Sequence, residues 1–279
     1  MNARPNIESA LASQRVAAHG RLSVAVRDGR TRVAELYQEG AAKIRLPRGD
    51  GAGAEAVLIN TAGGLTGGDR LDWRIAAGEG SRLTVTTQAC ERIYKAASGE
   101  ARVGAAIRVG AGGRLAWLPQ ETILFDRAAL ARRLDVELGD GAEVLVAEAV
   151  LVGRQAHGET VALARFHDRW RVRAGSRLVH AEDVRLGPDV PRQLAARAGA
   201  GGGLAFASVL LVGERGEALL AEARDAVGEA GGASFWRVGG TGKLLARLVA
   251  EDGYALRRRL VPLLSLLNGQ APLPKLWSL

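Results

Sequence analysis

Four stretches of the chain repeat one pattern, and that repetition limits the architecture more than any single motif does. They are LDWRIAAGEGSRLTVTTQA from Leu71, AAIRVGAGGRLAWLPQE from Ala105, RLDVELGDGAEVLVAEAV from Arg133 and DRWRVRAGSRLVHAEDV from Asp168. Each reads as strand, glycine turn, strand. Aligning Gly80, Gly112, Gly141 and Gly175, with Leu83, Leu115, Val144 and Leu178 three places on, gives spacings of 32, 29 and 34 residues. Within the units Trp73-Ile75, Ile107-Val109, Val136-Leu138 and Trp170-Val172 point one way, and Arg74, Arg108, Glu137 and Arg171 the other. That two-residue period marks half-buried strands. A unit this short cannot bury its apolar face alone, so neighbours are expected to stack into two packed sheets or a solenoid-like array. A β-sandwich with accidental similarity is the alternative.

After Pro188, Pro191 and the run Gly201-Gly202-Gly203 the pattern changes. Leu204 to Val212 reads as a buried strand, and GEALLAEARDAVGEA as a helix with Leu219, Leu220, Ala223 and Val227 on one side. Ser234 to Val238 and Lys243 to Val249 read as strands. Tyr254 to Leu267 reads as an amphipathic helix interrupted by Pro262. The expected fold is mainly β: a stacked, helical array of units about thirty residues long over residues 1–190, and a smaller α/β portion with two helices over 191–279. The tail GQAPLPKLWSL shows an exposed-looking Leu276-Trp277, which either packs on the body or docks a partner.

Chemistry is constrained mostly by what is missing. Among 279 residues, one cysteine and four scattered histidines (His19, His157, His167, His180) give no spacing for a tight transition-metal site. His157 and His180 read as ordinary imidazoles in or beside strands. Cys90 reads as a small buried residue rather than a nucleophile, although Arg92 would lower its pKa if it were exposed. VGGTGKLL resembles a phosphate loop but has Arg237 and Leu244 where Gly and Ser or Thr are needed. AGGLTGGD lacks both GxGxxG order and the lysine, and no GxSxG elbow is present. The net charge of +8, from 38 basic and 30 acidic residues, suits acidic partners. With only 4% aromatic residues the chain is poor material for stacking bases, so no nucleic acid is expected. No apolar stretch reaches the length of a membrane span, and the N-terminus lacks a signal-peptide core; a cytoplasmic protein is expected. What remains is a set of oxygen ligands: Asp69, Glu121, Glu148 and Glu159, with Thr84, Thr86, Thr87 and Gln88 on one strand. Such groups hold divalent ions weakly and let them exchange, although solvated turn and strand-face carboxylates look the same in sequence.

Four motifs carry a resemblance: INTAGGLTGGDRL from Ile59, TTQACERIYKA from Thr86, WLPQETILFD from Trp117 and LVGRQAHGE from Leu151. In order and spacing they resemble the urease accessory protein UreD family, also called UreH, over roughly residues 15 to 270. The chain departs from the family's common Ala-Thr-Lys at Ala89-Cys90-Glu91, so the resemblance gives those two residues no specific role. It implies a mostly β, helically stacked fold with two helices and a non-enzymatic maturation factor. Such a factor binds apo-urease and UreF, reaches the GTPase UreG through UreF, and helps deliver nickel, which passes transiently through an internal tunnel with no cofactor held tightly. The matching nickel-route residues are Asp69, Thr86, Thr87, Gln88, Glu121, Glu148 and Glu159. Leu276 and Trp277 are the candidate contact with UreF. A ligand- or carbohydrate-binding β protein, or an acid–base enzyme using Glu121 or Glu159, is the competing class.

Overall fold

A computed structural model describes residues 15–48, 51–154 and 157–278. Among them, seven strands form one sheet, in the order β14 (Arg177–Leu186), β13 (Arg165–Ala174), β11 (Ala129–Leu138), β8 (Ala101–Val109), β5 (Arg70–Ala77), β1 (Ala17–Arg27) and β2 (Arg30–Glu39). Ten form the facing sheet. Its main path is β16 (Gly231–Val238), β17 (Thr241–Ala250), β15 (Ala205–Val212), β12 (Glu143–Val152), β9 (Arg114–Leu118), β6 (Arg82–Thr87), β4 (Ala54–Asn60) and β3 (Ala42–Arg45). β10 (Thr122–Leu124) pairs with β12, and β7 (Glu91–Ile93) pairs with β10.

The repeat explains the stacking. In the first three units one strand lies in the seven-stranded sheet and the next in the ten-stranded sheet, so β5, β8, β11 and β13 run parallel, as do β6, β9 and β12. The crossing turn has the form Gly-x-Gly-x. Its second glycine is left-handed, with φ of +62°, +61° and +64° at Gly80, Gly112 and Gly141. Its first rests on the previous turn: a Cβ on Gly110 would lie 2.7 Å from the Glu79 amide nitrogen, and one on Gly139 would lie 2.8 Å from that of Ala111. Only glycine permits that approach.

The fourth unit departs from the expected pattern. β13 and β14 form an antiparallel hairpin within the seven-stranded sheet. Here the turn is only Gly175-Ser176, the first glycine is absent, and a two-residue loop returns the chain to the same sheet.

Inward side chains of the two sheets make the larger core, including Leu22, Trp73, Ile107, Val136, Val146 and Trp170. From Ala205 the chain extends the ten-stranded sheet through an antiparallel β12–β15 pair. The outer face of that sheet is roofed by α2 (Leu220–Val227), α3 (Gly253–Asn268) and a turn at Lys275–Trp277. A shorter helix, α1 (Val190–Ala195), follows the Asp189 cap. α3 starts at Asp252, whose carboxylate accepts the Ala255 amide at 2.7 Å, and ends at left-handed Gly269. It buries Leu256, Leu260, Leu263, Leu264 and Leu267, each contributing roughly 1.5–3 kcal/mol. Pro262 does not interrupt the helix as expected, because it lies on the exposed side, where water can satisfy the carbonyl its ring leaves free.

Candidate functional site: a polar row inside the sandwich

Strand alternation aims several charged side chains at the space between the sheets. On β12 the inward positions are Val144, Val146, Glu148, Val150 and Val152; on β11 they include Leu130, Arg132 and Leu134; on β13, Phe166, Asp168 and Trp170. Arg132 bridges the two sheets. Its Nε and Nη2 donate to Asp168 at 3.1 and 2.7 Å, and its Nη1 donates to Glu148 Oε2 and, at 3.0 Å, to Thr122 Oγ1. The indoles of Trp117 and Trp170 donate to Glu148 at 2.9 Å and Asp168 at 3.0 Å. Burial raises the Glu148 carboxyl to about 7, with Asp168 adding to the rise and Arg132 and Trp117 opposing it. Burial disfavours the Arg132 charge, but the two carboxylates overcome that and hold it protonated.

The row continues in both directions. Ser208 and Arg247 are successive cross-strand partners of Glu148 on β15 and β17. Ser208 Oγ donates to Glu182 at 2.7 Å, and Arg247 lies 3.3 Å from the same carboxylate. His180 Nε2 is 3.4 Å from Glu182 Oε2, both atoms buried and neither aligned for a hydrogen bond. Burial alone would raise Glu182, but His180, Ser208 and Arg247 draw it below its ordinary value. On the other side Thr122 is the cross-strand partner of Glu91, whose carboxylate accepts the Asn60 amide at 3.0 Å. Burial raises Glu91 to about 7 against the bonds from Asn60 and Arg92. Glu91 borders a hollow of about 280 Å³ lined by Leu58, Asn60, Trp73, Thr87 and Cys90. The row therefore runs from this hollow, through the packed centre, to the half-open edge at Arg247.

The residues expected from sequence fall into separate places. Glu148 lies at the centre of the row. Thr87 and Gln88 border the hollow; Thr87 Oγ1 accepts the Gln120 amide at 2.8 Å and Gln88 is exposed. Thr86 lies on the opposite side of the ten-stranded sheet, fully buried, its hydroxyl without a partner. Asp69 fastens a turn, accepting the amides of Thr66 at 2.7 Å and Val16 at 2.9 Å. Glu159 closes a loop through the amides of Arg154 and Asp126 and the Arg154 guanidinium at 2.9 Å. Glu121 is gripped by Arg257 from α3, with Nε at 2.6 Å. Glu121 and Glu159 thus sit in different networks.

Cys90 donates to Glu121 at 3.3 Å, and burial together with that carboxylate pushes its thiol up to about 12, away from the activated thiol that exposure beside Arg92 would have made. Trp277 is not exposed as its tail suggested: at 1% exposure it closes the helix-side core, donating to the Leu118 carbonyl at 3.1 Å beneath Arg257. Leu276 is 37% exposed.

Sequence reading missed Glu91, Thr122, Arg132, Asp168, His180, Glu182 and Ser208. The signal was present in the alternation itself, which places Arg132 two residues before inward Leu134 and Asp168 two before inward Trp170.

Comparison with known proteins completes the picture. The UreD urease accessory protein family model matches residues 16–278. The chain is 58% identical to a urease accessory protein UreD 1 of Brucella abortus over 271 residues, 97% of each chain. It is 59% identical to the urease accessory protein UreD of Mesorhizobium japonicum over 267 residues, 96% of this chain and 95% of the relative. With its solenoid-like double sheet and this similarity along nearly its whole length, the chain belongs to the UreD family of urease accessory proteins.

Proposed function

We propose that this urease maturation protein conducts nickel through its interior to apo-urease, as a non-enzymatic scaffold held with UreF and, through UreF, with the GTPase UreG. The observation that carries the reading is the row of side chains from Asn60 and Glu91 through Glu148 to Glu182. A row of this kind gives a divalent ion successive oxygen ligands, each too few to trap it. Among the described residues no three His, Cys, Asp or Glu side chains are grouped to hold a metal. Two carboxylates beside one guanidinium leave a net negative centre when ionised, and Arg132 is the cation with which an arriving ion exchanges. On this reading Asp69 and Glu159 shape the turns, Glu121 anchors α3, and Leu276 is the solvent-facing part of the tail offered to UreF.

The test is coexpression with urease subunits, UreF and UreG. Glu148→Gln and Glu182→Gln, separately, are expected to leave the copurified complex intact while lowering urease nickel content and activation several-fold. Unchanged nickel content in both variants rules out the row as the route.

A further inference from the structure

We propose that the outward face of the seven-stranded sheet is a docking surface for an extended acidic segment of another protein. The two outer faces of the sandwich differ. Helices and the tail roof the ten-stranded sheet, whereas the core beneath them contains no residue of the seven-stranded one.

On β13 every outward position from 165 to 173 is basic: Arg165, His167, Arg169, Arg171 and Arg173 alternate with inward Phe166, Asp168, Trp170 and Val172. Spaced by about 6.6 Å, they form a comb. Beyond β11 lies a trough floored by small residues, Ala106 on β8 and Ala76 on β5, with Gly104 lying under the Asp72 carboxylate. Two hollows of about 330 and about 480 Å³ share Arg74, Ala106 and Asp135 along it. A third, of about 500 Å³, continues from Arg70 to Arg102 and Arg165. The floor is low at Ala76 and Ala106, and the walls carry the guanidinium groups of Arg21, Arg70, Arg74, Arg108 and Arg133 together with Glu35, Asp72, Asp135 and Glu137.

The charge on this face is not cancelled. Most of its carboxylates are already paired, Asp72 with Arg70 at 2.6 Å, Glu137 with Arg108 at 2.8 Å, Glu35 with Arg21 at 2.8 Å, Glu100 with Arg102 at 3.3 Å and Asp135 with Arg133, while Glu39 accepts the Tyr37 hydroxyl at 2.9 Å. Asp183 is shared by His167, Arg171 and Arg185 at 2.6, 3.1 and 2.9 Å. Among the described residues Arg74, Arg169 and Arg173 have no carboxylate partner, and Arg165 donates to the Gly99 carbonyl at 3.2 Å. Forked guanidinium groups favour carboxylates taken two-pronged. Tyr37, an exposed ring at the β2 edge, already has Arg21 over its ring and His19 against it, so bases find only one partly occupied ring there.

The experiment titrates the full-length protein with a labelled peptide of alternating Glu and Ser, followed by anisotropy at about 50 and about 300 mM salt. Arg74→Glu, Arg169→Glu and Arg173→Glu together are expected to weaken binding by at least about tenfold. The melting temperature should not change. A control with the same charge change elsewhere, Arg192→Glu, Arg197→Glu and Arg258→Glu, is expected to bind as the parent. Equal loss in both variants, or tighter binding of an oligothymidine or an anionic vesicle of equal charge, overturns the proposal. If the triple variant melts lower, Arg169→Glu alone must show a loss of about threefold; its absence is likewise fatal.

Discussion

The two cores of this protein share a wall and obey different rules. β12 is buried on both sides: toward the seven-stranded sheet it sends Val144, Val146, Glu148, Val150 and Val152, and toward the helices Leu145, Ala147, Ala149 and Leu151. The helix-side core next to β12 is made of aliphatic side chains and Trp277, although the same side of the sheet also buries the Thr86 hydroxyl and, against Arg257 of α3, the Glu121 carboxylate. The inter-sheet core, equally shielded, encloses Arg132, Asp168, Glu148 and Glu182, each under 9% exposed. Desolvating charges is expensive, and apolar residues of similar volume often fold as well or better. One strand shows both solutions at adjacent positions, so replacing the charges by apolar residues tells whether the fold needs them.

Trp277→Ala attacks the apolar core and should cost about 3–5 kcal/mol, equally at pH 5 and pH 8, in a denaturant titration. Arg132→Met, of comparable size, strands two buried carboxylates and should cost about 3–5 kcal/mol near neutral pH, with less lost in acid. Adding Glu148→Leu and Asp168→Leu should restore most of it; failure to recover would make the triad structural and erase the contrast between the cores.

A smaller effect separates the hollow from the rest. With the Glu91 carboxyl raised to about 7 from its ordinary 4.5, the folded protein holds more protons than the unfolded chain between those values. The contribution of Glu91 to stability is therefore fully present below about pH 4.5 and lost as pH rises through about 7. Glu91→Gln should be near neutral in acid and stabilise by up to about 3 kcal/mol at pH 8. The smallest change concerns Cys90. With its thiol pushed to about 12, alkylation at neutral pH should be about a thousandfold slower than for a free cysteine, and a fast reaction would mean the Glu121 contact is absent.

The stacked sheets were legible because period-two alternation and recurrent turn glycines are local signals. The fourth unit was misread because only one glycine was aligned; the discriminating one, Gly78, Gly110 or Gly139, has Arg173 near its place in β13. Of the site, Glu148 was visible as a carboxylate inside an apolar strand. Arg132 and Asp168 were not, since their pairing crosses 36 residues and exists only once β11 and β13 are neighbours. Asp69 and Glu159 stood out for the opposite reason: glycine-rich turns leave amides that need an acceptor, which makes such carboxylates conspicuous without placing them in the network around Arg132. Trp277 looked exposed because prolines surround it, but the sheet beneath required a cover.

The glycine turns that rest on one another also fix a length. Parallel units add along one axis by about 4.8 Å each, and the row from Glu91 to Arg247 follows that axis across neighbouring strands. Duplicating or deleting a unit would keep every turn intact while moving one end of the row by a whole rung, and the β13–β14 hairpin terminates the series. The row of polar side chains is a ruler graduated in repeats, so its span changes by quanta and not residue by residue.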